Sequence, residues 1–214
     1  MTTAERLQLI YERMMAHWGP QHWWPAETPF EVMVGAVLTQ NTAWKNVEKA
    51  IANLKGVGLM SLEGLSALPT GLLAEYIRPA GYYNIKAGRL HNLLSTINQQ
   101  HGGNLQAFLE QPLPQLREQL LAIKGIGRET ADSILLYAAG LPIFVVDAYT
   151  HRILVRHQLI DEECGYEAIQ ELFMDNLACD PRLYNEYHAL LVRVGNVYCK
   201  KKHPDCASCP LQGI

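Results

Sequence analysis

The chain has 214 residues, of which 49% are hydrophobic and 18% are charged. This length suits one large domain or two small ones, and this composition excludes a disordered chain. The net charge of -3 excludes a uniformly basic protein that coats nucleic acid, so any nucleic-acid role requires a local basic surface.

Helical patterns follow one another along the chain. Residues 1–18 mix charged and apolar residues, which predicts an amphipathic helix rather than a signal peptide. Apolar residues recur near the helical period in residues 28–54, 61–77, 84–102, 113–123 and 128–140, with short glycine or proline breaks between them. The predicted class is all-α with short connections. No apolar run reaches the length of about 18 residues that spans a membrane, so we expect no membrane partner and a cytoplasmic location.

The segment "IKGIGRETA" predicts a hairpin between two helices. Gly125 and Gly127 allow a tight turn that brings backbone N–H groups close to a ligand. The next helix begins near Arg128, and its N-terminal amides and dipole favour a phosphate oxygen. The glycines alone are equally consistent with a plain corner between two helices.

Three of the five cysteines lie in the last sixteen residues. Cys199, Cys206 and Cys209 have the spacing C-x6-C-x2-C, and such clustering favours metal ligation over disulfides in a reducing compartment. Thiolate clusters hold both zinc and iron–sulfur centres, and the long first gap favours iron–sulfur.

The order of these segments resembles the helix-hairpin-helix DNA glycosylase superfamily of endonuclease III. The resemblance is carried by the hairpin and its following helix, "GLP", "FVVDAYTHRI", "PFEVMVGAVLTQNTAW", "GYYNIKAGRL" and the C-terminal cysteines. The segments "WWP", "LTQNTAW", "RPAGYYNIKA" and "KGIGRETAD" resemble the 3-methyladenine DNA glycosylase III branch more than endonuclease III proper. The resemblance implies a helical barrel domain of residues 22–135 that includes the hairpin. It also implies a second helical domain of residues 1–21 and 136–214 that carries the cysteine loop.

The resemblance assigns catalysis to Asp147 rather than to Glu129. Family members that also nick the strand carry a nucleophilic lysine at the position of Glu129, and a carboxylate cannot form the imine that this lysine forms. Glu129 is then an acidic residue in the first turn of a helix, where its negative charge interacts favourably with the helix dipole. Asp147 matches the catalytic aspartate, which stabilises positive charge on the deoxyribose and orients or deprotonates the attacking water. Asp147 also suits the N-cap of the helix that follows it, and the two roles are compatible.

The resemblance places the base pocket at the tryptophans. Adjacent Trp23 and Trp24 cannot both face one core from a regular helix, so at least one is expected at a surface or cleft. In the branch, an aromatic residue at the position of Trp44 stacks on the extruded base, and the segment ending in Pro25 shapes the pocket. Indoles suit a cationic alkylated purine, although ordinary packing is the alternative for each. Gln40 matches the side chain inserted where the base has left, or is a polar helix end.

The resemblance also implies a [4Fe–4S] cluster with a structural role, since hydrolysis needs no electron. The family's fourth cysteine would fall at position 215, after Ile214, so we expect that the given chain lacks it; Cys164 and Cys179 are the alternative ligands. Lys200, Lys201 and Lys202 lie in the first loop and suit the DNA backbone. The remaining predicted DNA contacts lie at the hairpin: Lys124, Gly125, Gly127 and Arg128.

The sequence therefore predicts a monofunctional DNA glycosylase that acts in base excision repair. It would hydrolyse the N-glycosidic bond of a flipped-out alkylated purine, such as 3-methyladenine, in double-stranded DNA, as a monomer at the nucleoid. One alternative is a glycosylase for oxidised pyrimidines or mismatched bases. The other is a catalytically silent DNA-binding module in which Asp147 only caps a helix.

Overall fold

All 214 residues are described by a computed structural model that contains helices and connections but no β-strand, which confirms the all-α prediction. None of the helices combines the length and apolar character needed to cross a membrane. The α-helices are α1 (Thr3–Trp18), α2 (Pro29–Leu38), α3 (Trp44–Gly56), α4 (Leu62–Ala67), α5 (Thr70–Tyr76), α6 (Tyr83–His101), α7 (Leu105–Leu109), α8 (Leu113–Ala122), α9 (Arg128–Ser133), α10 (Ala148–Arg156), α11 (Tyr166–Asn176) and α12 (Pro181–Val197). A 3-10 turn spans Arg78–Ala80.

The chain forms two compact units. One unit is Ala26–Leu141, and the other joins Met1–Pro25 to Pro142–Ile214. The division lies a few residues from the expected boundaries of 22–135 and 1–21 with 136–214, and the domain assignment stays a prediction.

Helix α2 forms the centre of the Ala26–Leu141 unit, because all its residues from Phe30 to Leu38 are buried. Thr28 caps its N-terminus by accepting a hydrogen bond from the amide of Glu31, and Pro29 occupies the first turn, where no amide partner is needed. The buried Glu31 carboxylate pairs with Lys55 at 2.7 Å, so its charge is compensated inside the unit. Helices α3, α6 and α9 pack against α2.

The predicted helix over residues 128–140 changes type in its middle. Helix α9 ends at Ser133, and Ile134–Ala138 continues as a π-helical turn. The amide of Ala139 donates to the carbonyl of Ile134 at 3.0 Å, which is the five-residue spacing of a π-helix. Hydrophobic periodicity does not reveal such a change, because one inserted residue leaves both flanks buried.

In the second unit, α12 packs against α1 and α10. The Tyr187 hydroxyl donates to the Leu7 carbonyl on α1 at 2.9 Å. On the side of α10, a Cβ at Gly195 would lie 2.7 Å from Cγ of Tyr149, so only glycine allows this approach. Helix α10 is therefore held closely against α12, which fixes the position of the residue that precedes α10.

Candidate active site and nucleic-acid interface

Asp147 ends a buried apolar run and caps helix α10. Its backbone is extended, with φ at -127°, and its Oδ1 accepts hydrogen bonds from the Thr150 amide at 2.7 Å and the Thr150 hydroxyl at 2.9 Å. The predicted N-cap is confirmed. Two donors on one oxygen hold the carboxylate in a single orientation.

The second oxygen of Asp147 faces a histidine that the sequence analysis did not identify. Nε2 of His188 lies 3.7 Å from Oδ2 of Asp147; His188 is buried and Asp147 is half-buried. Burial lowers the pKa of His188, and the Asp147 carboxylate opposes this effect. No local sequence pattern indicates this pair, because a histidine among apolar residues at helical spacing is typical of a packed core residue.

The hairpin between α8 and α9 has the backbone that its glycines predicted. Gly125 has a φ of +97°, and a Cβ there would overlap Cγ of Arg89. Gly127 is extended and precedes the first residue of α9, Arg128. The side chains of Lys124 and Arg128 are exposed. The hairpin thus presents two exposed cationic residues beside a tight turn, an arrangement that suits a phosphate backbone.

Gln40 is tied to the hairpin by its side-chain amide. Its Nε2 donates to the Gly125 carbonyl at 3.2 Å and to the Thr130 hydroxyl at 2.9 Å, and its Oε1 accepts from Arg89. Lys86 holds the adjacent end of α2 by donating to the Leu38 carbonyl at 2.8 Å. The predicted DNA-inserting residue and the predicted DNA-binding hairpin therefore form one hydrogen-bonded group within the Ala26–Leu141 unit.

Lys86 and Arg89 both lie on α6, and they contact the end of α2 and the side chain of Gln40, respectively. Burial lowers the pKa of Lys86 to about 8, and the nearby Arg89 guanidinium adds to the effect. The sequence analysis did not identify Lys86, Arg89 or Thr130 as contacts of this region. Their contacts join distant segments, which periodicity does not report.

The predicted pocket tryptophans are all half-buried. Trp23 and Trp24 lie in the connection between α1 and α2, with ring centroids 5.0 Å apart and planes at 54°. Pro25 follows and is exposed. Trp44 is the first residue of α3. Trp18 differs from these, because it is packed against Tyr198 in the second unit.

The three C-terminal cysteines line one cavity of about 240 Å³. Cys199 is buried, Cys209 is half-buried and Cys206 is exposed. Burial raises the pKa of Cys209, and the nearby Cys199 and Cys206 contribute to the rise. Neither Cys164 nor Cys179 lines this cavity.

Arginine side chains from α10 hold the cysteine loop. Arg156 Nη1 donates to Cys199 Sγ at 3.1 Å and to the Lys200 carbonyl at 2.9 Å, and Arg152 Nε donates to the Cys199 carbonyl at 2.7 Å. The side chains of Lys200, Lys201 and Lys202 are exposed. This arrangement leaves the lysines on the surface while their backbone is fixed.

Three thiols around one cavity fit a thiolate-bound cluster in donor chemistry and in place. No group of three or more histidine, cysteine or acidic side chains converges closely enough to hold a single metal ion. Three cysteines also leave a four-cysteine set one ligand short. The three thiols therefore fit as three ligands of a larger centre, and Arg156 contacts the sulfur of one of them, Cys199.

The chain is similar to a known protein family. The profile of the HhH-GPD superfamily base excision DNA repair proteins matches residues 34–179. The Methanocaldococcus jannaschii protein called "Putative DNA repair glycosylase MJ1434" is 46% identical over 209 residues, which are 97% of this chain and 94% of that protein.

Two solved structures are similar in fold. A structure of the H. pylori 3-methyladenine DNA glycosylase MagIII bound to 1,N6-ethenoadenine has a TM-score of 0.76 and 31% identity, over 90% of this chain and 96% of that one. An endonuclease III–DNA covalent intermediate has a TM-score of 0.82 over 99% of this chain and 94% of that one; at 22% identity it supports the fold alone.

Proposed function

The chain belongs to the HhH-GPD superfamily of base excision DNA repair proteins and is a DNA glycosylase, and from this premise we propose that it removes alkylated purines from double-stranded DNA by hydrolysis alone. The observation that carries this proposal is the fixed, half-buried carboxylate of Asp147 at the start of α10. It is an anion with one oxygen immobilised, which suits the stabilisation of a cationic sugar.

In the proposed reaction, the bond between C1′ of the deoxyribose and the base nitrogen breaks, and the base leaves with the electron pair. C1′ becomes positively charged, and the Asp147 carboxylate stabilises this charge electrostatically. Water then forms the new bond to C1′, and its proton passes to the carboxylate or to solvent. Thr150 holds Oδ1 throughout, so no reorganisation of the carboxylate is needed during the reaction.

The proposal of hydrolysis without strand cleavage is supported by Glu129. This residue lies in the first turn of α9 with an exposed side chain, at the position where the strand-nicking members carry a lysine. A carboxylate cannot form an imine with C1′, so the lyase route has no nucleophile there.

The substrate class is supported by the tryptophans and by one relative. Trp23, Trp24 and Trp44 offer half-buried indoles, and Pro25 lies beside the first two. Electron-rich indoles stack most strongly on a cationic base, such as an alkylated purine. The H. pylori enzyme that the chain resembles is a 3-methyladenine DNA glycosylase. We therefore favour alkylated purines over oxidised pyrimidines or mismatched bases.

Proposed DNA contacts come from both units. Gln40 would enter the gap left by the flipped base, and the hairpin residues Lys124, Gly125, Gly127 and Arg128 would bind phosphate. Lys200, Lys201 and Lys202 add the positive surface that the overall charge of -3 does not show. We propose that the protein acts as a monomer in the cytoplasm, at the nucleoid.

Cys199, Cys206 and Cys209 would supply three ligands of a [4Fe–4S] cluster. A bound cluster would cross-link the loop and would take no part in hydrolysis. Arg152 and Arg156 donate hydrogen bonds to Cys199, and these bonds keep the lysines of the loop next to α10.

The test is release of free bases from methylated duplex DNA, separated by chromatography, by the wild type and by Asp147→Asn. We expect 3-methyladenine from the wild type, and a rate at least about a hundredfold lower from the variant, since an amide cannot replace the carboxylate charge. Borohydride should trap no covalent adduct. DNA binding by the variant, measured by anisotropy, should be retained.

Each contrary result has a definite meaning. Release of oxidised or mismatched bases without methylated bases would overturn the substrate class. A borohydride-trapped adduct would overturn the hydrolytic mechanism. Equal rates for the wild type and Asp147→Asn would remove Asp147 from catalysis, and binding without release of any base would establish the silent module.

A further inference from the structure

We infer that His188 is a positioning residue for Asp147, because it fixes the carboxylate oxygen that Thr150 does not hold. This inference rests on the proposed role of Asp147 in hydrolysis. The two oxygens of Asp147 have different surroundings, and this difference gives His188 its function.

The division between the two oxygens is clear from the contacts. Oδ1 accepts two hydrogen bonds from Thr150, one from the backbone and one from the hydroxyl. Oδ2 faces Nε2 of His188 at 3.7 Å. This distance is about 0.7 Å longer than an ordinary hydrogen bond, and such contacts often shorten when substrate binds. With a proton on Nε2, the imidazole would become the donor that fixes Oδ2.

His188 is itself held by the segment that precedes Asp147. Its ring meets the Phe144 ring edge-on, with centroids 6.5 Å apart and planes at 83°. The carbonyl of Phe144 accepts a hydrogen bond from Gln170 Nε2 at 2.6 Å, which fixes this extended segment against α11. One turn of α12 before His188, Tyr184 also packs edge-on against Phe144. The imidazole and the carboxylate are therefore positioned by the same stretch of backbone.

The proposed role of His188 depends on its charge as well as on its position beside Asp147. Burial lowers the pKa of His188, and Asp147 is the charged group that acts against this shift. The nearby tyrosines stay neutral, because burial raises the pKa of both Tyr184 and Tyr187. Near neutral pH, a neutral imidazole would therefore stand beside the carboxylate.

A neutral donor suits the proposed reaction better than a cation. The negative charge of Asp147 must act on the positive charge that develops at C1′. A lysine or arginine at position 188 would neutralise part of that charge at close range, in a buried site where screening is weak. A neutral imidazole would orient Oδ2 and leave the net charge of the site at minus one.

The test compares His188→Leu, which removes the donor, with His188→Gln, which retains an N–H donor. Single-turnover release of the base preferred by the wild type, and DNA affinity, are measured from pH 5 to 8. We expect His188→Leu to lower the release rate about ten- to a hundredfold, the value of a hydrogen bond to a charged group, with DNA affinity unchanged. His188→Gln should recover the rate to within about fivefold of the wild type.

A pH profile separates positioning from packing. The wild-type rate should fall at acidic pH as His188 becomes charged and neutralises the carboxylate. The rate of His188→Gln should fall less steeply between pH 7 and pH 5. His157→Gln is the control, since His157 is a half-buried histidine of the same unit that contacts the Ile214 carbonyl instead of Asp147. It should leave the profile unchanged.

The outcomes distinguish this inference from the proposed function. If Asp147→Asn abolishes release while His188→Leu has the wild-type rate, the role of His188 is refuted and hydrolysis at Asp147 stands. Equal losses in His188→Leu and His188→Gln, or a loss of DNA affinity in place of rate, would also refute it. If Asp147→Asn is as active as the wild type, the proposed catalytic role of Asp147 fails, and the role of His188 fails with it. Should His188→Leu not fold, the pH profile of His188→Gln decides.

Discussion

Replacing Gly125 with alanine should destabilise the Ala26–Leu141 unit by about 1.5–4.6 kcal/mol. The φ of +97° at Gly125 places an L-residue in a strained backbone, which costs about 1–2 kcal/mol. The added Cβ would overlap Cγ of Arg89 and lie 3.0 Å from its Cδ. Arg89 must then move away from Gln40, and the loss of that charge-assisted hydrogen bond costs about 1.5–3 kcal/mol. Alanine also makes the unfolded chain stiffer than glycine does, which stabilises the folded state by about 0.4–1 kcal/mol.

Urea unfolding of the wild type and of matched variants measures this effect. Gly127→Ala is the control in the same hairpin, because Gly127 has no positive φ and no atom lies within 4 Å of an added Cβ. We expect its free energy of unfolding to change by no more than about 1 kcal/mol. In an Arg89→Ala background, Gly125→Ala should cost only the backbone strain less the gain from the stiffer unfolded chain, about 0–1.6 kcal/mol.

The same variants connect the hairpin to Gln40. In Gly125→Ala, both the carbonyl of residue 125 and the Arg89 guanidinium should shift, and these are two of the three partners of the Gln40 side chain. We therefore expect weaker binding to duplex DNA in addition to lower stability. A Gly125→Ala protein as stable as Gly127→Ala would show that Arg89 moves at no cost, and the reasoning would fail.

Three further predictions concern the second unit. Thr150→Val should lower base release about tenfold, because it removes one of two donors to Asp147 Oδ1, while Thr150→Ser should stay near the wild type in the same assay. Because burial lowers the pKa of His188, the folded state takes up its proton at lower pH than the unfolded chain. The neutral His188 therefore contributes to the free energy of unfolding. The contribution is complete above the pKa of an unfolded histidine, about 6.5, and is lost as pH falls through the folded pKa, by up to about 1.4 kcal/mol per pH unit. Urea unfolding between pH 7 and pH 5 should show this loss in the wild type, and a smaller loss in His188→Gln. Cys209→Ser should reduce the iron content per chain measured by elemental analysis, whereas Cys164→Ser should not, since Cys164 lies outside the cysteine cavity.

Features that depend on a few neighbouring residues were predicted well from the sequence. The all-α class follows from periodicity, and the cap at Asp147 follows from an aspartate placed between an apolar run and a helix. The hairpin glycines predicted a tight turn, and Gly125 has the positive φ that only glycine adopts freely. In each case, a few adjacent residues contain the physical cause.

Features that depend on distant contacts were missed. The hydrogen bonds of Gln40 join it to residues 49, 85 and 90 positions away, and no local pattern specifies such partners. His188 was missed for a related reason, because a buried histidine on an apolar helix face looks like any other core position. The π-helical turn at Ile134–Ala138 was missed because it preserves the apolar pattern of its flanks.

Helix α10 connects the two chemical features of the second unit. Asp147 caps its N-terminus, while Arg152 and Arg156, one and two turns further along, bind the cysteine loop. A helix of nine residues is only about 13 Å long and is marginal in isolation, so its ends depend on tertiary contacts. The loop therefore stabilises the far end of the helix whose near end holds the carboxylate. Through this arrangement the cysteine loop would support the proposed hydrolysis without taking part in the chemistry.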